Sequence, residues 1–323
     1  MAGPSPSIFG SRARLIAIGD VHGDLGRLTQ LMKGLNLINE RFQWIAEPKD
    51  TWVVQMGDQL DSKMRSAESG GGGAGGGGGA GAVPDWETTP DVQVVFFMRN
   101  IDREARRHGG RVISLLGNHE IMNSLGELSY VSTKSMNMLG GHANRVATFA
   151  PGAYMARVLA DRPVIVKIGG YVFCHAGLLP HHLVMCGESP IGRMNYIMRK
   201  YLLHLPMNEE EQKLFQALFV DSEGLLWTRT LLTEDYRRDV LPEVLKAVGA
   251  QAMVVGHNVM PNGIATTPAR NLWFVDTAMS RAFEDIGSVE ALQILNDGVP
   301  SPLEPNPVQV LKMTPALPTQ KLT

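Results

Sequence analysis

The sequence predicts a layered α/β fold, and two observations support this prediction. Short apolar runs rich in valine and isoleucine recur along the chain and end at Gly, Asp, Asn or His, a pattern typical of buried strands. Stretches with the spacing of amphipathic helices lie between these runs. Because strands alternate with helices, we expect helices to pack on the faces of the sheet.

Each predicted element follows from its local pattern. Seven runs have the length and composition of strands, namely Leu15–Gly19, Trp52–Met56, Val112–Leu116, Val164–Ile168, Tyr171–Cys174, Met253–Val255 and Leu272–Val275. Four stretches have apolar residues at helical spacing, namely Leu25–Leu37, Val92–Arg107, Glu209–Phe219 and Asp239–Val248. Near the C-terminus, Glu290–Leu295 and Val308–Met313 flank a proline-rich turn, which predicts a closing hairpin.

Length, charge and cysteine content restrict the class of protein. A chain of 323 residues with 44% hydrophobic and 19% charged residues should fold over most of its length. Its formal net charge of −2 provides no global basic field, so we expect no nucleic-acid partner. We expect no membrane span, because no apolar run reaches roughly 18 residues. Cys174 and Cys186 predict reduced thiols in a cytoplasmic protein.

The chain divides into one predicted domain with two short flanks. Residues 1–12 have no long apolar segment and predict a disordered leader, although their acid-free composition also permits an organelle transit peptide. Residues 13–314 form the domain, and residues 315–323 form a tail. A glycine-rich insertion over residues 69–83 predicts a flexible surface loop, with a lid over a site as the alternative.

Polar motifs follow five of the predicted strands. In chain order they read Gly19-Asp20-Val21-His22-Gly23, Gly57-Asp58-Gln59-Leu60-Asp61, Gly117-Asn118-His119-Glu120, His175-Ala176-Gly177 and Gly256-His257-Asn258. Ligands of open α/β sheets bind beyond the carboxyl ends of strands, so these motifs converge on one crevice if the strands are neighbours. A single Gly-Asp pair or histidine is usually structural, but five such coincidences in one chain are not expected.

The motif residues have the chemistry of a metal site. The candidate ligands are two carboxylates, three imidazoles and one amide, namely Asp20, His22, Asp58, Asn118, His175 and His257. Mixed nitrogen and oxygen ligands suit manganese, iron or zinc, and this set suits two metals that share one bridging carboxylate. Two divalent ions against two carboxylates leave an excess of positive charge, which predicts a phosphate ester as substrate.

The order of these motifs resembles the phosphoprotein phosphatases within the calcineurin-like metallophosphoesterases. The strings GDVHG, GDQLD, GNHE, HAG and GHN match that family from Asp20 to His257, and GNHEIMN, LLWTR and DTAMSRAF resemble its Shewanella-like branch. The resemblance implies a four-layer α/β/β/α sandwich of two mixed sheets flanked by helices. It also implies two divalent ions, either manganese or iron with zinc, and direct attack by a hydroxide that bridges them.

The resemblance implies a role for each motif position. The implied ligands are Asp20 and His22 for the first metal, Asp58 for the bridge, and Asn118, His175 and His257 for the second metal. His119 would be the general acid that protonates the leaving oxygen, and Asp61 would orient it.

One departure from the family concerns the phosphate clamp. After the aspartate equivalent to Asp61 the family usually has Arg-Gly, and that arginine grips phosphate, whereas this chain continues Ser62-Lys63-Met64-Arg65. Lys63 and Arg65 are near but out of register, and lysine lacks the planar fork of arginine. Arg229 and Arg281 are candidates for the missing clamp, with a surface or ion-pair role as the alternative.

Three functions remain open from the sequence. The leading prediction is a protein phosphatase that acts on phosphoserine, phosphothreonine or phosphotyrosine in a phosphoprotein or phosphopeptide. A bis-nucleoside tetraphosphate hydrolase shares GDVHG and HAG but typically has aspartate at the position of Glu120. A catalytically weak pseudophosphatase that serves as a scaffold would account for the altered clamp, although every proposed ligand and His119 are present.

Overall fold

The computed structural model describes residues 6–62, 89–283 and 287–313. The strands are β1 (Ile8–Phe9), β2 (Arg14–Ile18), β3 (Thr51–Gln55), β4 (Arg111–Ser114), β5 (Ile165–Ile168), β6 (Tyr171–Cys174), β7 (Ala252–Val255), β8 (Ala265–Thr266), β9 (Leu272–Phe274), β10 (Val289–Leu295) and β11 (Val308–Met313). The helices are α1 (Leu25–Gly34), α2 (Pro90–Arg107), α3 (Asn118–Leu125), α4 (Thr133–Met138), α5 (His142–Phe149), α6 (Tyr154–Leu159), α7 (Pro180–Cys186), α8 (Pro190–Leu202), α9 (Glu209–Phe219) and α10 (Leu241–Val248).

The strands form two mixed sheets. One sheet has the order β1-β5-β6-β7-β9-β8, and the other has the order β11-β10-β2-β3-β4. Strands β2, β3 and β4 are parallel neighbours in one sheet, and β6, β7 and β9 are parallel neighbours in the other. The predicted closing hairpin is present, because β10 pairs antiparallel with both β11 and β2.

Alternation along the strands separates the apolar cores. In β2, Leu15 and Ala17 pack between the two sheets, whereas Ile16 and Ile18 face the helices α1 and α2. On the other sheet, the outer face packs against a core that includes residues of helices α6 to α10. Burial of each such aliphatic side chain contributes about 1.5–3 kcal/mol. The predicted four-layer α/β/β/α sandwich of two mixed sheets flanked by helices is therefore confirmed.

Two predicted helices are shorter in the structure, and the helix predicted over Val92–Arg107 begins earlier, at Pro90. The helix predicted over Leu25–Leu37 ends at Gly34, because Asn36 adopts a left-handed backbone with φ of +53°, a common way for a helix to stop. The helix predicted over Asp239–Val248 begins at Leu241, with Pro242 in its first turn and a π-helical segment before it.

The prediction of a disordered leader over residues 1–12 needs correction at its C-terminal end. Ile8 and Phe9 form β1, which pairs in parallel with β5, and the Phe9 ring packs edge-on against Trp52 with 5.0 Å between centroids. A strand of two residues has no detectable sequence pattern, so only its partner strand reveals it. The insertion over residues 69–83, with its loop and lid alternatives, and the tail over residues 315–323 lie outside the described residues.

Neither cysteine takes part in a disulfide, since Cys174 and Cys186 are both buried free thiols. Burial raises the pKa of Cys186 to about 11, which keeps it protonated at neutral pH. Within the described ranges, no helix combines the length and the apolar character that a membrane crossing requires.

Candidate metal centre and active site

The sequence motifs meet at one edge of the sandwich. Asp20, Asp58 and Asn118 follow β2, β3 and β4, while His175 and His257 follow β6 and β7. Parallel strands end at the same edge, so each sheet delivers its set of polar residues to that edge. A cavity of about 640 Å³ opens there. Its walls include the motif residues Asp20, His22, Asp58, Asn118, His119 and His257.

The loops that carry these residues adopt an uncommon backbone conformation. His22, Asp58, Asp61 and His257 all have positive φ, at +42°, +50°, +65° and +62°. A non-glycine residue in such a conformation costs about 1–3 kcal/mol and persists only where its surroundings enforce it. Three of them line the cavity and Asp61 binds the cavity residue His119, which indicates that the loops are held for function.

Glu120 holds the loop of Asp58 in place. Its buried carboxylate accepts hydrogen bonds from the backbone N–H groups of Asp58 at 2.9 Å, Gln59 at 2.9 Å, Leu60 at 3.2 Å and Gly117 at 2.7 Å. Burial and the nearby charge of Asp58 raise the pKa of Glu120. In the sequence, Glu120 was noted only as a residue that separates two enzyme classes, although a glutamate in the first turn of a helix is a known signal of such backbone anchoring.

Two glycines allow the carboxylates to approach the backbone closely. A Cβ atom on Gly117 would lie 2.2 Å from Oδ1 of Asp58, and one on Gly256 would lie 2.3 Å from Oδ1 of Asp20. Any side chain at either position would displace the carboxylate.

Asp58 lies at the centre of the candidate metal site. Its Oδ2 is 3.8 Å from Nε2 of His22, 3.8 Å from Nε2 of His119 and 3.4 Å from Nε2 of His175. Two groups of three residues have ligand atoms within 4.8 Å of one another, namely His22, Asp58 and His119, and Asp58, His175 and His257. Asp58 belongs to both groups, which is the arrangement that a bridging carboxylate requires.

The imidazoles present lone pairs to this centre. His22 Nδ1 lies 3.2 Å from the carbonyl of Leu60, and His175 Nδ1 lies 2.8 Å from the carbonyl of Met56. His257 Nε2 lies 3.1 Å from the carbonyl of Trp227. A carbonyl oxygen only accepts hydrogen bonds, so in the neutral ring each of these nitrogens carries the proton and the other ring nitrogen keeps its lone pair.

Two of these lone pairs face the same acceptor, the side-chain oxygen of Asn118. His175 Nε2 lies 2.9 Å from Oδ1 of Asn118, and His257 Nδ1 lies 3.2 Å from the same oxygen. The two nitrogens with lone pairs and the amide oxygen are all acceptors, so none of them can donate a hydrogen bond to the others. A cation held between them would satisfy all three, so this donor set fits a metal ion.

The carboxylates around Asp20 also favour a bound cation. Burial raises the pKa of Asp20 well above its usual range, and the carboxylates of Asp276 and Asp58 add to the effect. Burial also raises the pKa of Asp58, but the imidazoles of His175 and His119 outweigh it and hold that pKa well below its usual range. Asp20 stands outside both groups of three and accepts the backbone N–H of His257 at 3.1 Å.

The pKa values of the two histidines on the side of Asn118 shift in opposite directions. Burial lowers the pKa of His257 to about 3, with a further contribution from the charge of His175. Burial also lowers the pKa of His175, but the neighbouring Asp58 reverses the direction and raises it. His257 is therefore neutral at physiological pH, as a metal ligand must be.

His119 and Asp61 form a buried pair beside this centre. Nδ1 of His119 lies 2.8 Å from Oδ2 of Asp61, and Oδ1 of Asp61 accepts from Nδ2 of Asn123 at 2.8 Å. Because Asp61 fixes one ring nitrogen, the other nitrogen of His119 faces the cavity. This is the geometry that a general acid with an orienting carboxylate requires.

Arg145 supports this pair from behind. Its guanidinium is fully buried and donates to Asp91 at 2.7 Å and to Oδ1 of Asn123 at 2.8 Å, and it lies 3.5 Å from Asp61. Burial raises the pKa of Asp91, but the positive charge of Arg145 outweighs it and lowers the pKa. Asp91 and Arg145 were not predicted from the sequence, because neither stands in a motif or follows a predicted strand.

The four candidates for the phosphate clamp differ in their positions relative to the cavity. Arg229 lines the metal cavity, and its Nη1 donates to Oδ1 of Asn258 at 2.9 Å. Arg281 does not line that cavity. Its Nε and Nη2 donate to the carboxylate of Asp24 at 2.8 and 2.6 Å, so Arg281 has the ion-pair role that was the alternative to a phosphate clamp. Lys63 and Arg65 lie outside the described residues.

Aromatic side chains surround the mouth of the cavity. Tyr130, Trp227 and Phe283 all line it. The Tyr130 ring packs edge-on against His119 at 5.0 Å, and Phe283 packs against His22 at 5.4 Å. Trp227 and Phe283 belong to the LLWTR and DTAMSRAF strings, whereas nothing in the sequence analysis identified Tyr130.

Comparison with known proteins identifies relatives of the chain. A family model of calcineurin-like phosphoesterases matches residues 13–261. The chain is similar to Shewanella-like protein phosphatase 2 of Arabidopsis thaliana, with 25% identity over 336 residues that cover 90% of this chain and 77% of that protein. It is also similar to Shewanella-like protein phosphatase 1 of Plasmodium berghei, with 28% identity over 279 residues that cover 83% of this chain and 67% of that protein.

Solved structures share the fold. A cold-active protein-tyrosine phosphatase of a psychrophilic Shewanella species superposes with a TM-score of 0.71 at 21% identity, covering 95% of this chain and 83% of that one. A protein serine/threonine phosphatase from Saccharomyces cerevisiae superposes with a TM-score of 0.58 at 12% identity, covering 97% and 85%.

Proposed function

The chain belongs to the calcineurin-like phosphoesterases, and from this premise we propose that it is a phosphatase that hydrolyses phosphate monoesters on phosphoproteins. The proposed reaction is direct attack of water on phosphorus, with two divalent metal ions as cofactors. The observation that carries this proposal is the position of Asp58, which belongs to both groups of potential metal ligands.

The position of Asp58 in both groups supports the ligand set that the family resemblance implies. Asp58 would be the shared ligand between two ions, with the others on either side of it, namely Asp20 and His22, and Asn118, His175 and His257. When bound, divalent ions would supply a water that ionises near neutral pH and positive charge against the phosphoryl oxygens. Manganese, or iron with zinc, suits these mixed nitrogen and oxygen donors.

His119 is the proposed general acid. Asp61 would accept a hydrogen bond from Nδ1–H, which would stabilise the charged imidazolium and direct Nε2–H to the cavity. That nitrogen would donate its proton to the leaving oxygen as the bond to phosphorus breaks. Arg229 is the proposed phosphate contact, because it combines a guanidinium with a position in the cavity wall.

The cavity mouth favours an aromatic leaving group. Tyr130, Trp227 and Phe283 would pack around a phenyl ring attached to the phosphate. A phosphotyrosine side chain supplies such a ring, whereas phosphoserine would leave these aromatic surfaces uncovered. We therefore propose phosphotyrosine as the preferred residue, and serine and threonine phosphoesters as poorer substrates.

The decisive experiment combines metal removal with three substrates. Hydrolysis of nitrophenyl phosphate should vanish in chelator-stripped protein and return with manganese, because the attacking water needs metal ions to ionise. A phosphotyrosine peptide should then be hydrolysed faster than the same peptide with phosphoserine. Full activity without metal would contradict the mechanism.

The same assay separates the other functions. Faster turnover of a bis-nucleoside tetraphosphate than of either peptide would favour a bis-nucleoside tetraphosphate hydrolase. Metal binding without turnover of any substrate would favour the scaffold.

A further inference from the structure

A second cavity lies away from the metal centre, between α2, β4 and the segment that leads into β5. Its volume is about 250 Å³, and it shares no wall residue with the metal cavity. Helix α2 contributes one wall, and β4 with residues 161–163 contributes the other. The volume lies below the roughly 300–1,000 Å³ of typical small-molecule sites, so a small ligand or a compact head group would fill it.

The walls of this cavity carry an excess of positive charge. Five guanidinium groups and two carboxylates line it, which leaves three positive charges uncompensated. The guanidinium groups are those of Arg99, Arg103, Arg106, Arg111 and Arg162, and the carboxylates are those of Asp102 and Asp161. We call this the arginine cavity.

Both carboxylates are already engaged. Asp102 accepts from Arg106 at 2.7 Å and from Arg111 at 3.1 Å. Asp161 accepts from Arg199, which stands outside the cavity, at 3.1 Å. Neither has an ion pair with the other arginines of the wall.

Three arginines therefore lack an acidic partner. Among the described residues, no carboxylate lies within 4.0 Å of the guanidinium of Arg99, Arg103 or Arg162. Arg162 instead donates to neutral acceptors, the side-chain oxygen of Gln59 at 2.8 Å and the carbonyl of Val95 at 3.2 Å. Burial lowers the pKa of Arg162 to about 10; the negative charge of Glu120 opposes this shift, and the charge of Arg99 adds to it.

We propose that the arginine cavity binds the phosphate group of a small anionic ligand, with Arg99, Arg103 and Arg162 as its charged contacts. Guanidinium groups pair with phosphate through two parallel N–H···O bonds, and a small phosphate group fits the volume of the cavity. The bound anion would offset the mutual repulsion of the three cations. This site is separate from the proposed catalytic site and does not depend on its chemistry.

Calorimetric titration of the metal-loaded protein with inorganic phosphate tests this site. We expect two classes of phosphate site in the unmodified protein, one of them in the arginine cavity. The double variant Arg99→Gln/Arg103→Gln should weaken that class at least roughly tenfold, because it removes two charge-assisted contacts. Its hydrolysis of nitrophenyl phosphate and the inhibition of that reaction by phosphate should be unchanged.

Arg107→Gln is the matched control, since Arg107 is an exposed arginine at the end of the same helix and does not line the cavity. A parallel titration with phenylphosphonate distinguishes a free anion from the head group of a larger molecule. Binding of either inorganic phosphate or phenylphosphonate in the arginine cavity supports the site. A single class of phosphate site in the unmodified protein, or equal weakening in the Arg107 control, would overturn the proposal.

Discussion

Two buried polar clusters meet at His119 beside the cavity, and they differ in the source of their positive charge. The Asp58 cluster, made of Asp20, His22, Asp58, Asn118, His175 and His257, contains two carboxylates and three imidazoles but no permanent cation. The Arg145 network, made of Asp61, Asp91, Asn123 and Arg145, contains two carboxylates and a permanently charged guanidinium that binds directly to Asp91.

The difference appears in the acids of the two clusters. In the Asp58 cluster, burial and neighbouring carboxylates raise the pKa of Asp20 well above its usual range, and the imidazoles of His175 and His119 are what hold the pKa of Asp58 well below it. In the Arg145 network, burial of Asp91 is outweighed by Arg145, so its pKa falls. A cluster that contains its own cation can keep a buried carboxylate ionised and positions its neighbours, whereas a cluster that lacks one is arranged for a cation from outside.

Asp58→Asn should have the largest effect, because it removes the residue shared by both groups of ligands. Loss of partners that merely support a metal ligand costs roughly 10–100-fold, so loss of this ligand should cost more than about 100-fold on every substrate. Metal content, measured by mass spectrometry, should fall with the rate. Asp235→Asn, at an exposed carboxylate, is the control. Retention of both metals and the rate would remove Asp58 from the bridging position.

His119→Asn tests the connection between the two clusters, since Asp61 of the Arg145 network holds its ring. A general acid typically contributes about 100-fold or more, and the leaving alkoxide of serine needs its proton more than nitrophenolate does. Turnover of phosphoserine peptides should therefore fall about 100-fold, with a much smaller loss on nitrophenyl phosphate and unchanged metal content. Equal losses on both substrates, accompanied by weaker metal binding, would show that His119 only supports the metal site.

Arg145→Met should have a smaller effect on turnover and a clear effect on stability. Removal of the guanidinium leaves Asp91 without its buried partner, which typically costs about 3–5 kcal/mol in the free energy of unfolding. Denaturant unfolding measures this loss, and metal content in the folded protein should be kept. Arg157→Met, at an exposed helical position, should stay within about 0.5 kcal/mol of the unmodified protein.

A second variant shows whether the loss comes from the unpaired charge. Adding Asp91→Asn to Arg145→Met removes the orphaned carboxylate, so part of the stability should return. If the double variant is as unstable as the sum of the single variants, Arg145 acts through packing on Phe149, whose ring centre lies 4.9 Å away, and the network is not an electrostatic unit.

The sequence predicted the elements whose signals are local. The run Tyr171–Cys174 and the helix Glu209–Phe219 have the predicted limits, because burial and helical spacing are visible within a few residues. Strand β1 was not predicted, since its two residues form a strand only by pairing with β5. The segment from Asn118 to Leu125 was predicted only as a motif, yet it forms α3, whose start presents Asn118 and His119 to the cavity.

The sequence alone determined which residues stand at the ends of the strands and hence the chemical types available to the site. Each motif is short, because a turn after a strand needs its glycine and its polar residue within a few positions of each other. The tertiary structure alone decided which distant charges meet. Arg145 reaches Asp91 across 54 positions, and Arg281 turns to Asp24 instead of the cavity across 257 positions. Pairings of this kind depend on how helices and loops pack in three dimensions, and no local pattern encodes them.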